Sequence, residues 1–298
     1  MKVYLNGEYV PQDQARVSVD DRGFLFADGV YEVCRIYNGH IFLLEPHMQR
    51  MRRGLTDLQI PADIVDEIPA IAERLLELNP DSARLANLYI QVTRGAAPRA
   101  HAFPKPPVPP TVFVAVRNSK PYPASYFQDG VGAITVPDIR WARCDIKSVA
   151  LLPNVLANQQ AHEAGVFEAL FVRDGELIEG SHSNLFGVLD GELWTAPSSG
   201  HILSGITRQM VLEKAREAGI TVRENAIPMS RIGEVTELFL SGTTTEIMPV
   251  VKLDGNAVGD GTPGPITRQL RDAYPSWIEE ELAAATASHG ARSGQTAS

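Results

Sequence analysis

An α+β architecture rich in antiparallel hairpins is the fold class this sequence predicts, on three observations. Asn6-Gly7, Asn38-Gly39, Asp174-Gly175, Asp190-Gly191 and Asp254-Gly255 each lie between apolar or alternating runs. Both residues of such a pair tolerate the positive φ of a type I′ turn, so each pair marks a two-residue hairpin. Parallel strands cannot be joined that way, which argues against a doubly wound sheet. The second observation is alternation: Leu88, Ile90 and Val92 interleave with Tyr89 and Gln91, as in a strand with one buried face. The third is the presence of helical patterns among the strands. With 298 residues, 44 % of them hydrophobic, the chain can bury a large core in one or two domains.

Taken in order, Glu45-Pro46 opens a helix that runs to about Gly54, with proline suited to a first turn. Ile64, Ile68, Ile71, Leu75 and Leu78 mark an amphipathic helix in which Pro69 predicts a kink. The strand at residues 87–93 follows. The run Pro104-Lys105-Pro106-Pro107-Val108-Pro109-Pro110 excludes regular structure and leads into a strand from Thr111 to Arg117. Asn118 to Pro123 reads as a linker, giving a domain at 1–117, a linker at 118–124 and a second domain at 125–284. In the second domain the pattern predicts a strand over 139–146, a helix from about Pro153 to Ala164 stopped by Gly165, two hairpins, and a helix from Thr207 to Gly219. The small polar residues of 285–298 predict a disordered tail.

Composition excludes several functions. A net charge of −9 without a Lys/Arg stripe leaves no footprint for nucleic acid. The opening MKVYLNGEYV lacks a signal-peptide core, and no apolar run reaches the ~20 residues of a membrane span. Cys34 and Cys144 make neither a disulfide framework nor a CxxC site, and the scattered histidines offer no HExxH, so no metal is expected. A soluble cytoplasmic protein is the default expectation.

Five groups of residues are candidates for chemistry. Lys147 closes the expected 139–146 strand, where partial desolvation would lower the amine pKa and favour Schiff-base formation. Glu179 ends a strand before Gly180-Ser181-His182-Ser183-Asn184 and suits a protonated pyridine nitrogen. Gly205-Ile206-Thr207 begins a helix, whose free N–H groups and positive end favour a phosphate. Ser241-Gly242-Thr243-Thr244-Thr245 adds a second cluster of donors, and Arg50 a charge for a dianion. Arg99 and His101, on a loop stiffened by Pro98, form a clamp for a carboxylate. Singly, each has an ordinary reading: a solvated lysine, a turn carboxylate, an N-capping threonine, a turn, surface arginines, an exposed basic loop. Together they make up the set that pyridoxal phosphate (PLP) chemistry needs.

The wording of the sequence then resembles a known family. Arg22-Gly23-Phe24 with Phe26-Ala27-Asp28-Gly29-Val30-Tyr31-Glu32-Val33, the Glu179-Gly180-Ser181 and Ser183-Asn184 pieces, Gly205-Ile206-Thr207-Arg208 and Thr243-Thr244-Thr245-Glu246-Ile247 resemble the class IV (fold type IV) aminotransferases in order across residues 1–275. Within that family Tyr31-Glu32-Val33, Thr93-Arg94-Gly95, Pro98-Arg99-Ala100-His101, and Arg140-Trp141 with Arg143 to Ser148 look like a D-amino acid aminotransferase. The Pro-Arg-x-His piece discriminates best, since the branched-chain L-amino acid enzymes and the aminodeoxychorismate lyases lack it.

The resemblance implies an α+β, two-domain fold type IV enzyme, with a small N-terminal α/β domain and a larger C-terminal, PLP-binding, β-barrel-like domain, working as a homodimer. It implies Lys147 as the Schiff-base lysine that shuttles the proton, and Glu179 as the partner of the pyridine nitrogen. Arg50, Ile206, Thr207, Thr243 and Thr244 would bind the phosphate, Leu203 would pack on the ring, and Tyr31, Arg99 and His101 would take the substrate α-carboxylate. The substrates implied are a D-amino acid and a 2-oxo acid. Two positions depart from the pattern: His182 and Gly242 stand where serines are expected, which bears on substrate range. The rivals are a branched-chain L-amino acid or (R)-amine transaminase, the lyase, and a non-enzymatic binder of a phosphorylated ligand. The carboxylate clamp argues against the amine enzyme, and the lysine against the binder.

Overall fold

The computed structural model describes residues 1–82 and 84–295, which form two compact units. The first comprises Met1–Pro121 together with Ile146–Leu151, and the second Tyr122–Asp145 and Leu152–Ser298. The chain therefore returns to its first unit after leaving it. Two backbone bonds hold the returning segment, from Tyr31 N to Lys147 O (3.0 Å) and from Val149 N to Gly29 O (3.1 Å). Lys147 thus sits in the first unit, not in a continuous second domain beginning at 125.

In the first unit the elements are β1 (Lys2–Leu5), β2 (Glu8–Pro11), α1 (Arg22–Phe26), β3 (Gly29–Tyr37), β4 (His40–Ile41), α2 (Leu44–Asp57), α3 (Ile68–Leu78), β5 (Leu85–Thr93) and β6 (Thr111–Asn118). The strands form an antiparallel sheet in the order β2-β1-β6-β5-β3-β4. Asn6-Gly7 and Asn38-Gly39 have positive φ at both residues and close the β1–β2 and β3–β4 hairpins. Val30, Cys34 and Ile36 of β3 bury with Leu88, Ile90 and Val92 of β5 and Val112, Val114 and Val116 of β6. Met48, Met51 and Leu55 of α2 and Ile68, Ile71 and Leu75 of α3 complete this core. Pro69 does not kink a longer helix. It lies in the first turn of α3, where its missing N–H has no intrahelical acceptor to lose, and Asp63–Asp66 forms a separate 3-10 turn.

The second unit contains α4 (Ala124–Asp129), β7 (Val131–Pro137), α5 (Leu152–Glu163), β8 (Glu168–Arg173), β9 (Glu176–Gly180), β10 (Asn184–Leu189), β11 (Glu192–Trp194), α6 (Ile206–Glu217), β12 (Val222–Arg223), β13 (Ile227–Pro228), β14 (Glu237–Gly242), β15 (Glu246–Leu253), β16 (Asn256–Ala257) and α7 (Pro265–Gln295). Strands β10-β14-β15-β7-β8-β9 follow one another, and β9 pairs again with β10 through Glu179 and Asn184, closing a barrel. Leu170, Leu177, Leu185, Leu238, Leu240, Met248 and Val250 fill one core cluster. The three remaining Asp-Gly turns join β8–β9, β10–β11 and β15–β16, again with positive φ at both residues. β7 runs parallel to both β8 and β15, pairings that no hairpin turn can announce.

Two expectations require correction. Residues 139–146 are not a strand: β7 ends at Pro137, and an irregular connection follows. Asp138 accepts from the backbone N–H of Arg140 (3.0 Å), and Cys144 N donates to Gly200 O (2.7 Å), contacts that replace a ladder. The alternation of Arg143 and Asp145 reflects a mutual ion pair at 2.9 Å, not a pleat. The residues from 285 read as a disordered tail, whereas α7 continues to Gln295, as alanines favour. Residues 296–298 lie outside those described.

Candidate active site

Strand alternation sends Tyr31 and Glu32 to opposite faces of β3. Tyr31 stacks on Tyr89 with ring centroids 5.9 Å apart. The half-buried Lys147 donates from Nζ to its hydroxyl at 3.3 Å and lies 4.4 Å from its ring centroid. Lys147 and Tyr31, both expected at the site, are therefore in contact.

On the other face, Glu32 is fully buried and accepts from Arg50 Nε (2.7 Å) and Nη2 (2.8 Å). His47 Nδ1 lies 2.7 Å away. Burial would raise the Glu32 pKa, but Arg50 and then His47 outweigh it and hold the carboxyl well below the usual range. Burial lowers the His47 pKa, so a neutral ring donates through Nδ1–H. Arg50, expected at a phosphate, is thus fixed in place by a buried carboxylate of β3.

Arg99 and His101 are exposed, and among the described residues no hydrogen bond joins either to Tyr31 or Lys147. Both flank Phe26, with the Arg99 guanidinium 5.1 Å and the His101 ring 5.5 Å from its centroid. Their loop leaves β5 through Gly95, at φ +97°, where a Cβ would overlap Pro109 O. Only glycine fits there.

In the second unit, Glu179 and Asn184 face each other across the barrel closure, and the Gly180–Ser183 turn between them is tied by Gly180 N to Ser183 O (2.8 Å). Glu179, 4 % exposed, accepts from Asn184 Nδ2 and from Leu203 N, both at 3.2 Å, and from Arg140 Nη1. Arg140 gives two further bonds to Asp138, from Nε and Nη2, each 2.9 Å. Burial pushes Glu179 up to about 7, with Arg140 and Leu203 only partly offsetting it. Asn184 also donates to Leu203 O at 2.8 Å, so Leu203 is held through both its N–H and its carbonyl.

Helix α6 begins at Ile206 behind Gly205, with no side-chain cap on its first turn. Its leading N–H groups and the buried Thr207 form a donor set of the kind that takes a phosphate. Thr243 and Thr244 occupy the turn between β14 and β15, flanked by Ser241 and Thr245, whose buried hydroxyls have no partner among the described residues. An uncapped helix start, a hydroxyl-rich turn and a buried carboxyl whose charge is only partly offset fit a phosphorylated pyridine.

A family model for class IV aminotransferases matches residues 29–253. The chain belongs to the class IV aminotransferases. Its fold is the two-unit α+β fold type IV, with the closed barrel in the larger unit. It is 40 % identical over 279 residues to the D-alanine aminotransferase of Staphylococcus haemolyticus, covering 93 % of this chain and 98 % of that one. To the D-alanine aminotransferase of Bacillus licheniformis it is 39 % identical over 284 residues, covering 95 % and 99 %. Among solved structures, the branched-chain amino acid aminotransferase from Escherichia coli superposes with a TM-score of 0.81 at 27 % identity, covering 92 % of each chain. A second branched-chain amino acid aminotransferase, from T.th. and solved with pyridoxamine 5'-phosphate, gives 0.83 at 28 % identity, covering 94 % of each.

In this aminotransferase several residues that sequence reading missed surround the expected ones. Arg140, itself held by Asp138, reaches Glu179 across 39 positions of sequence, and no local pattern signals such a pairing. Glu168 is another: fully buried, it accepts from Ser181 Oγ (2.6 Å) and Ser183 Oγ (2.8 Å), with His182 Nδ1 at 2.9 Å. Burial would raise its pKa, but His182 and then the two serines hold it below the usual carboxylate range. His182, one of the two departures, is thus tied to the Glu168 carboxylate at the start of β8.

Proposed function

We propose that this class IV aminotransferase is a D-amino acid transaminase, moving the amino group of a D-amino acid such as D-alanine to 2-oxoglutarate or pyruvate. The observation that carries this choice is the Pro98-Arg99-Ala100-His101 loop, whose exposed guanidinium and imidazole suit a carboxylate, alongside near full-length similarity to D-alanine aminotransferases. The branched-chain enzymes are similar in fold at lower identity, so a branched-chain L-amino acid enzyme is the second reading.

When bound, pyridoxal 5'-phosphate supplies the electron sink that lets an amino acid Cα–H ionise. The protein's residues then have these tasks. Lys147 holds the group covalently and moves the proton at Cα, with Tyr31 fixing its amine. Glu179 keeps a proton on the pyridine nitrogen. Arg50, the Ile206 N–H, Thr207, Thr243 and Thr244 bind the phosphate, and Leu203 packs on the ring. Tyr31, Arg99 and His101 take the α-carboxylate. With the Cα–H directed at the lysine and the carboxylate at the clamp, one place is left for the side chain, so the mirror-image substrate misplaces a group.

The assembly expected is a homodimer. Leu152, Val155 and Leu156 lie on one face of α5 and are 68 %, 59 % and 49 % exposed, an apolar stripe suited to a second copy. A cytoplasmic place of action belongs to the same proposal. No helix among the described residues is long and apolar enough to cross a membrane.

The test is the half-reaction followed by absorbance of the holoenzyme. D-alanine or D-glutamate should bleach the aldehyde form at least ~10³-fold more efficiently than the L-isomers, about 4 kcal/mol of discrimination. Borohydride should fix the cofactor on Lys147. An adduct on Lys214 or Lys252 would overturn the lysine assignment, and preference for L-leucine would install the branched-chain reading.

A further inference from the structure

The loop that carries Arg99 and His101 hangs from one buried guanidinium. Arg22, 4 % exposed, opens α1. Its Nη1 donates to Ala100 O (2.5 Å) and reaches Ala102 O (3.4 Å), while Nη2 donates to His101 O (3.2 Å). One planar fork therefore engages three successive carbonyls of the loop, and its Nε donates to Asp28 Oδ2 at 2.8 Å.

Asp28 ties the same fork to the start of the loop. It accepts from Arg94 Nε (2.7 Å) and Nη2 (3.0 Å). Arg94 in turn donates to Gln59 O (3.0 Å) and Leu58 O (2.6 Å), and its guanidinium lies 3.6 Å over the Phe103 ring. Burial would raise the Asp28 pKa, but the Arg94 and Arg22 bonds keep it below its ordinary value, so the bridge stays anionic. The main chain from 94 to 103 is thus pinned at both ends, while the Arg99 and His101 side chains extend from it beside Phe26. The Arg22 guanidinium lies against that same ring, at 4.9 Å.

We infer that Arg22 is the positioning residue for the carboxylate clamp, setting where Arg99 and His101 present their donors without touching substrate itself. The inference rests on reading Arg99 and His101 as the site of the α-carboxylate. The physical reason is geometric. An exposed arginine gains bidentate recognition only if its Cα frame is fixed, because a displacement of an ångström forfeits orientation. A lysine at position 22 would keep the charge but lose the planar fork, and a single ammonium cannot span three carbonyls and Asp28 together.

A double-mutant cycle on the holoenzyme tests this: wild type, Arg22→Lys, Arg99→Ala and the double variant, with D-alanine and 2-oxoglutarate. Arg22→Lys should raise KM for both substrates, lowering kcat/KM about tenfold or more with kcat within about threefold, and leave the cofactor spectrum unchanged. In the Arg99→Ala background the same change should cost clearly less, because only His101 is left to be misplaced. Equal losses in both backgrounds, or an unchanged KM, would show that Arg22 only supports the fold and would overturn the inference. If Arg99→Ala alone leaves kcat/KM for D-alanine unchanged, the carboxylate reading itself fails and this inference falls with it. Should Arg22→Lys not accumulate folded, Asp28→Asn loosens the same fork and takes its place in the cycle with the same criteria.

Discussion

Glu32 in the first unit and Glu179 in the second are both buried glutamates bonded to an arginine, yet their proton affinities move in opposite directions. Glu32 takes two bonds from Arg50 and a third from the neutral His47, and stays ionised far into acid. Glu179 is pushed up to about 7 by burial, and takes only one bond from Arg140, whose Nε and Nη2 go to Asp138. The difference is how far the arginine is shared. A carboxylate with its own guanidinium is internally satisfied and anchors that arginine in place. One that shares its guanidinium with a second carboxylate retains a need for positive charge, which a protonated pyridine would meet. A buried ion pair alone is therefore no marker of function; an incompletely neutralised one is.

The largest effect that would sharpen this contrast is on stability. Glu32→Gln leaves Arg50 buried without its counter-charge and should cost about 3–5 kcal/mol in denaturant unfolding, with cofactor binding weakened as Arg50 loses its anchor. Glu179→Gln should behave differently, keeping the fold and most cofactor affinity while losing ~10²–10³ in turnover, or about 3–4 kcal/mol of transition-state stabilisation. Wild-type turnover in that variant would show that another group protonates the ring. If the two variants instead exchanged these phenotypes, the contrast would be inverted.

Acidity gives a smaller effect with a definite sign. Glu32, its pKa depressed, contributes stability that is present above 4.5 and lost only as pH falls through its lower folded value. Glu179, its pKa raised, contributes stability that is present below 4.5 and lost as pH rises towards about 7. Apoprotein stability measured against Glu179→Gln should therefore decline across that interval, by a total on the order of 3 kcal/mol. A flat difference would mean that Arg140 already neutralises Glu179. The smallest effect concerns Asp138→Asn, which releases Arg140 towards Glu179. The declining interval should then shift downward by about one pH unit.

Much of this was legible in the sequence, for reasons that differ by element. The five hairpins could be read because an Asn-Gly or Asp-Gly pair encodes its own backbone conformation, and all five pairs adopt it. The helix starting at Ile206 could be read from the glycines that bracket it, Gly205 and Gly219. Residues 139–146 were misleading because charge alternation from an Arg143–Asp145 pair imitates the period of a strand. The parallel neighbours of β7 and the Glu179–Asn184 closure are long-range pairings without a local signature. The partners of the site residues were hidden for the same reason. Arg22 meets the 100–102 carbonyls across 78 to 80 positions, and nothing near it in sequence reveals which groups its charge is to hold. Lys147 and Glu179 are proposed from residue type and family wording, and their electrostatics come only from the fold.

The proposed completion of Glu179 by a cation on the cofactor is tested most directly at the pyridine nitrogen. The holoenzyme would be reconstituted with cofactor labelled with ¹⁵N at that atom, and its chemical shift measured near neutral pH in wild type and in Glu179→Gln. The shift of a protonated pyridinium is expected in wild type and that of a neutral pyridine in the variant. A neutral pyridine in the wild-type protein, with Glu179 intact, would contradict the assignment.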